Sequence, residues 1–113
     1  IAVSVRKDRI TVSGHAGFAE AGKDIVCAGV TALTQTLIKS IGDLTEDKIQ
    51  YENRLEADIH YGNLSEEGKL LVDSFFIGIC MIAEEFPEYR PDHVLNVTGM
   101  SLNYTFKMQR PGL

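Results

Sequence analysis

The chain has 113 residues, of which 44% are hydrophobic and 24% are charged, and its formal net charge is −5. This balance is typical of a folded globular protein and excludes the apolar-poor, charge-rich composition of disordered chains. The acidic charge repels phosphate backbones, so we do not expect direct nucleic-acid binding. A basic partner is expected instead. The length fits one core, and we predict a single domain over residues 1–113.

Targeting and redox features point to a cytoplasmic protein. The sequence has no run of about 18 consecutive apolar residues, so we predict no membrane partner. Its first residues place the charges after a short apolar segment, the reverse of a signal peptide. The two cysteines, Cys27 and Cys80, are therefore expected to stay reduced. No cofactor-binding fingerprint is present, and we predict no cofactor.

In the first half of the chain, alternation of apolar and polar residues predicts strands at residues 1–5 and 10–13, joined as a hairpin. The alternation stops in the Gly- and Ala-rich segment 14–23, which is longer than the about 4–6 residues of ordinary connections. From residue 25 to 41 apolar residues recur every four positions, which predicts a helix. Gly42 follows at the position of a C-terminal cap.

In the second half, two further alternating segments, residues 48–51 and 55–61, predict another hairpin. Ser65 is placed to cap a second amphipathic helix, which continues to Phe86. In the remainder of the chain, alternation over residues 93–98 and again over residues 102–108 predicts one or two further strands.

The predicted order is ββαββα followed by one or two strands, without the βαβ alternation of an all-parallel sheet. We therefore predict an α+β fold in which two helices pack on one face of a mostly antiparallel sheet. The other face is expected to be partly apolar and able to pair with a second copy of the chain.

Three reactive side chains, those of His15, Asp24 and Cys27, lie within thirteen residues of sequence. If Asp24 is the N-cap of the first helix, Cys27 is its third residue. There, free N–H groups and the positive end of the helix dipole stabilise a thiolate. His15 can reach Cys27 if the intervening segment folds back, which Gly17 and Gly22 permit. The arrangement predicts a cysteine nucleophile activated by a histidine.

This pattern suits acyl transfer to the thiol. His15 takes the thiol proton, Cys27 attacks a peptide carbonyl, and His15 then protonates the leaving amine. Free N–H groups at the helix start are expected to bind the oxyanion. Asp24 has two possible roles, capping the helix or orienting His15, and we prefer capping.

Gly14-His15-Ala16, together with the run Gly-x-Asp-Ile-Val-Cys-Ala-Gly-Val-x-Ala-Leu over residues 22–33, resembles the signature of the bacterial ribosomal-processing cysteine proteases. The resemblance implies a Cys–His endopeptidase with catalytic His15 and Cys27. Its implied substrate is the N-terminal extension of a large-subunit ribosomal protein, the twenty-seventh in the usual naming, which is removed during ribosome assembly.

The same resemblance implies a homodimer and a mobile glycine-containing loop over the active site, corresponding to residues 16–23. It also places a family-conserved aspartate at Asp24. Thr31 stands where the family often has Ser and keeps the hydroxyl. Beyond about residue 90 the sequence departs from the family pattern, and no function transfers to that part.

Other interpretations of these residues remain open. The same helix start and loop would suit a noncatalytic ribosome-associated module that binds a peptide without cutting it. A redox-sensing thiol would need Cys80 close to Cys27 in space. On its own, Cys80 is predicted to be a core residue of the second helix. A zinc site built from the two cysteines with His15 and His60 lacks ligand spacing, and we predict no metal.

Overall fold

The computed structural model describes residues 1–14, 21–53, 57–85 and 95–99. The described elements follow in the order β1 (Ala2–Val5), β2 (Arg9–Ser13), α1 (Ala21–Leu44), β3 (Ile49–Asn53), β4 (Ala57–Tyr61), α2 (Glu66–Glu85) and β5 (Asn96–Gly99). This confirms the predicted α+β element order and both hairpins. The possible last strand, at residues 102–108, lies outside the described residues.

The five strands form one sheet in the order β3-β4-β2-β1-β5. The β1–β2, β2–β4 and β3–β4 pairs are antiparallel, and β5 pairs with β1 in parallel. The predicted mostly antiparallel sheet is therefore confirmed. Gly99 lies opposite Val5 with φ of 150°, and a Cβ there would approach the Val5 carbonyl oxygen to 2.6 Å. Only glycine fits this close parallel pairing.

Both helices pack on one face of the sheet. Strand residues alternate, so that every second side chain points to this face. The sheet and the two helices form one apolar cluster, whose most deeply buried members include Val3, Val5, Ile10, Val12, Val26, Val30, Ile41, Ile59, Val72 and Ile79. The core thus fixes the positions of α1 and α2 over the sheet.

The two helices approach each other closely at two glycines. A Cβ at Gly29 would lie 2.9 Å from Ile82 Cδ1, and a Cβ at Gly78 would lie 2.9 Å from Leu33 Cδ1. Because the α1 partner moves forward by four residues while the α2 partner moves back by four, the helices run antiparallel. Each glycine receives a large side chain from the other helix.

The face of the sheet away from the helices is polar, so the expectation of a partly apolar outer face is wrong for the described strands. At its centre the Arg9 guanidinium donates from Nε and Nη2 to the two carboxylate oxygens of Asp58, both at 2.9 Å. His60 Nε2 lies 3.1 Å from Asp58 Oδ1. The hydrogen bond from Arg9 holds the pKa of Asp58 below its ordinary value. Other polar residues on this face include Ser4, Thr11, Ser13, Gln50 and Thr98.

Helix α1 is longer than predicted at both ends. It begins at Ala21 and continues to Leu44, so Gly42 lies inside it and the prediction of a C-cap at Gly42 is wrong. The turn after the helix is closed by Thr45, whose hydroxyl and amide donate to the Ile41 carbonyl at 2.8 and 3.2 Å. An α-helix tolerates an internal glycine at a cost of about 1 kcal/mol, and the buried side chain of the preceding Ile41 anchors this part of α1 in the core.

By length and composition alone, Ile25–Leu44 would suffice to cross a membrane. Four of its residues, Val26, Val30, Leu37 and Ile41, are buried in the core that α1 shares with the sheet. The core helix of a globular fold has the same length and composition, and α1 is packed as one.

The start of α2 is fixed by three residues. Ser65 Oγ accepts a hydrogen bond from the Gly68 amide at 3.1 Å, which confirms Ser65 as the N-cap. The Ser65 hydroxyl and amide donate to the Asp47 carboxylate at 2.7 and 3.0 Å. A Cβ at Gly68 would collide with Asp47 Oδ2, so glycine is required for this approach.

Candidate active site

Cys27 lies on α1 at the boundary between core and solvent. Cys27 is half-buried, and its thiol forms no disulfide. The adjacent Val26 and the later Val30 are buried in the core, whereas Ile25 and Ala28 are exposed. The core therefore holds the backbone of Cys27 in place, while the residue remains partly accessible to a substrate.

The structure corrects the predicted position of Cys27 within the helix. Because α1 begins at Ala21, Cys27 is its seventh residue and lies in the second turn, not the first. The fourth residue of an α-helix is the first whose amide is bonded, as the Lys69 amide of α2 is to the Ser65 carbonyl at 2.9 Å, so the free amides within α1 are those of residues 21–23. The amide of Cys27 follows them and belongs to the regular i to i−4 ladder, so the prediction that Cys27 lies in the first turn, among the free N–H groups, is wrong.

The same boundary changes the roles of two neighbours. Asp24 is the fourth residue of α1, so its predicted role as the N-cap is wrong. Gly22 is the second residue of α1 rather than part of a loop, and the described glycines with positive φ are Gly14 and Gly99. Gly17 lies outside the described residues.

His15 also lies outside the described residues, directly after Gly14. Gly14 directly follows β2 and has φ of 87°, in the left-handed region that favours glycine. Strand β2 is the middle strand of the sheet, and six residues separate Gly14 from the start of α1. The pairing of His15 with Cys27 remains a prediction.

The remaining two residues of the zinc site considered above, Cys80 and His60, are both described. Cys80 is half-buried on α2 and packs against the apolar core, as expected for a core thiol. His60 lies on the polar face of the sheet beside Asp58, whereas Cys27 lies on a helix covering the opposite face. The sheet therefore separates His60 from Cys27, which rules out a zinc site that contains both. Among the described residues, no three His, Cys, Asp or Glu side chains group as metal ligands.

A groove of about 690 Å³ lies between the second half of α1 and the edge strand β3. Its walls include Ile38, Lys39, Ile49 and Tyr51, with Asp43 in the last turn of α1 and Glu46 in the turn that follows. The α1 residues of this groove begin at Gln35, more than two helical turns beyond Cys27. The groove is therefore not the cleft in which a substrate of Cys27 would react.

Sequence reasoning overlooked one accessible feature of α2. Leu70, Ile77 and Met81 are large apolar side chains that remain exposed, although the helix was interpreted as having a single apolar face. Their spacing of seven and four residues is itself helical, and this second periodicity was the signal that could have shown them.

Comparisons with known proteins agree with the fold. The family model described as "Cysteine protease Prp" matches residues 2–90. No curated protein matches the chain.

Three similar solved structures each cover 88% of the chain. The essential ribosomal processing protease Prp from S. aureus, in complex with a substrate peptide, is 20% identical with a TM-score of 0.75, over 98% of its own chain. The same protease with a covalently linked product peptide is 22% identical, with a TM-score of 0.72 and 98% coverage of its chain. SMU.848 from Streptococcus mutans is 26% identical, with a TM-score of 0.70 and 90% coverage. Since the family model matches well over half of the sequence, this chain belongs to the Prp family of cysteine proteases.

Proposed function

We propose that this chain is a cytoplasmic endopeptidase that removes the N-terminal extension of a large-subunit ribosomal protein, the twenty-seventh in the usual naming, during ribosome assembly. One observation carries the proposal: Cys27 is a half-buried thiol on α1, within residues 2–90 that match a cysteine protease family. The other cysteine packs against the core. The S. aureus structures with substrate and product peptides support a peptide substrate for this chain as well.

In the proposed reaction, the His15 imidazole takes the thiol proton and Cys27 Sγ attacks the scissile carbonyl carbon. The C–N bond then breaks, His15 returns its proton to the leaving amine, and water hydrolyses the thioester. Because Cys27 lies in the second turn of α1, the helix terminus contributes less to thiolate formation than the sequence suggested. Activation of the thiol therefore depends mainly on His15.

The position of Cys27 also restricts the donors that bind the oxyanion. Its own amide bonds within the helix, so the oxyanion has to be met by donors elsewhere, such as the free amides of residues 21–23 at the start of α1. Asp24 precedes Cys27 by three residues, a spacing that places both on neighbouring positions of one helix face. This supports Asp24 as the residue that orients His15 rather than as a helix cap. We further propose that the chain forms a homodimer and does not bind nucleic acid directly.

The test is intact-mass analysis after incubation of the extended ribosomal protein with the parent chain and three variants. We expect the parent to release one discrete N-terminal peptide. Cys27→Ala and His15→Ala should each lower kcat/KM at least about 1,000-fold. Cys80→Ala is the matched control, because it removes the thiol that packs against the core, and it should keep activity.

Other outcomes would identify a different function. If the parent binds the extended protein and leaves it whole, the noncatalytic binding module becomes the better explanation. If Cys80→Ala abolishes the effect of an oxidant on activity, Cys27 is instead part of a redox sensor with Cys80 as its resolving thiol.

A further inference from the structure

Helix α2 has a second apolar surface on the side away from the core. Leu70, Ile77 and Met81 are 57%, 40% and 59% exposed, and the exposed Ser74 lies between them. At 100° per residue these positions form one line along the helix, and we call these four residues the outer stripe. The buried residues of α2, such as Ile79, lie on the opposite side. A helix that is apolar on two opposite sides is usually covered on both.

The outer stripe has acidic residues at both ends. Glu66 and Glu67 are exposed in the first turn of α2, and Glu84 is exposed in the last turn. Glu66 and Glu84 are eighteen residues apart, which is five full turns, so both lie along the same side of the stripe. Lys69 forms an exposed ion pair with Glu66 at 3.5 Å.

This charge pattern discriminates between possible occupants. A second copy of α2 packed antiparallel on the stripe would bring Glu66 of one copy close to Glu84 of the other, and like charges repel. A partner with apolar side chains between basic residues would instead complement the stripe and both of its ends. The net charge of −5 further favours association with a basic partner.

The outer stripe also begins close to the level of Cys27. The helices are antiparallel, with Gly29 opposite Ile82 and Leu33 opposite Gly78. By the same register Cys27 is level with Glu84, and Met81 lies only about one helical turn further along the helix axis. Along the helix axis, the reacting thiol is therefore close to the Met81 end of the stripe, and the stripe runs from there towards Leu70.

We infer that the outer stripe is a docking surface for the basic mature part of the substrate protein, beyond the bond that Cys27 cleaves. The identity of this occupant rests on the proposed function. Proteins that bind an RNA backbone carry clustered Lys and Arg. Their basic side chains would meet Glu66 and Glu84, and apolar side chains between them would cover Leu70, Ile77 and Met81. Docking of this kind adds affinity without touching the reacting atoms.

Binding is measured first, in Cys27→Ala protein so that no ligand is consumed. The two ligands are the whole extended ribosomal protein and a synthetic peptide of its N-terminal extension through the cleavage site. Combined Ile77→Ser and Met81→Ser substitutions should weaken binding of the whole protein about tenfold, and Glu84→Lys should weaken it several-fold. Binding of the peptide should change less than about twofold. Leu44→Ser is the matched control, since Leu44 is 68% exposed on the other helix.

Cleavage by the active protein gives the second readout. The stripe substitutions should raise KM for the whole protein about tenfold and leave kcat and all peptide kinetics unchanged. An equal loss on both substrates, or no loss on either, overturns the docking surface. It is also overturned if the substitutions turn a dimer into a monomer, which makes the stripe a self-interface. The proposal is overturned too if the stripe variants melt well below Leu44→Ser, because that result would show that the chain itself covers the stripe.

The two proposals fail in different ways. If the parent cuts neither substrate but the binding differences hold, the protease proposal fails and the docking surface stands. If the parent cuts both and the stripe variants bind and cut like the parent, only the docking surface fails.

Discussion

The starts of the two helices are built differently. At α2, Ser65 bonds to the Gly68 amide and to Asp47, so the first turn is closed by groups of the chain itself. At α1, the helix begins at Ala21 after the segment that includes His15, and it carries Cys27 in its second turn. An acidic residue lies near each start, but Asp47 precedes its helix whereas Asp24 is inside its own. The same residue type therefore holds a structure at one start and precedes the candidate nucleophile by three residues at the other.

The largest expected effect is at the α2 start. Gly68→Ala would force a methyl group against the Asp47 carboxylate and close to Leu64 Cβ, breaking the contact that fixes the helix start. We expect the free energy of unfolding to fall by about 2–3 kcal/mol. Urea unfolding at neutral pH measures this change.

Gly42→Ala is the matched control for this prediction. Gly42 lies inside α1, and nothing is within 4 Å of a Cβ built there. The same substitution should therefore raise the free energy of unfolding by about 0.5–1 kcal/mol. If both variants change stability in the same direction, the contrast between a constrained glycine and a tolerated one is wrong.

The sequence predicted those parts of the fold whose signals are local. Both hairpins follow from alternation, and Ser65 was found because a cap residue directly precedes its helix. The contact of Ser65 with Asp47 joins residues 18 positions apart, and no periodicity marks such a pair. The parallel pairing of β5 with β1 is longer in range still.

The position of Cys27 within its helix was predicted incorrectly for a related reason. An aspartate is favoured both as an N-cap and inside the first turn, where the dipole also stabilises it. Asp24 fits either position, and the sequence around it does not distinguish them. The identity of Cys27 as the candidate nucleophile survives this error, because it depended on the surrounding motif and not on the turn of the helix.

The second prediction concerns the pH dependence of the α2 start. The Ser65 hydroxyl, and then its amide, hold the pKa of Asp47 below its ordinary value of 3.8. A depressed carboxyl pKa stabilises the fold above the unfolded pKa, and this contribution is lost as pH falls through the folded pKa. Asp47→Asn should therefore be less stable than the parent by about 1 kcal/mol at pH 7.

This difference should shrink as the pH is lowered below about 3.8, where the parent also loses its carboxylate. Urea unfolding from pH 7 down to pH 2.5 measures it. Asp58→Asn is the control, because Asp58 is an exposed carboxylate paired with Arg9, and its loss should cost less than that of Asp47. A difference for Asp47→Asn that stays constant across the pH range would mean that its charge does not stabilise the start of α2.

The smallest expected effect tests the α1 start itself. Gly22 is the second residue of the helix, so Gly22→Ala should leave stability unchanged or raise it by up to about 0.5 kcal/mol. Gly14→Ala is the comparison, since φ of 87° at Gly14 makes any side chain costly, by about 1 kcal/mol. If Gly22→Ala instead destabilises as Gly14→Ala does, the backbone at Gly22 needs the freedom of glycine and the helix starts later. Cys27 would then return to the first turn, where the free amides of the helix could bind the oxyanion.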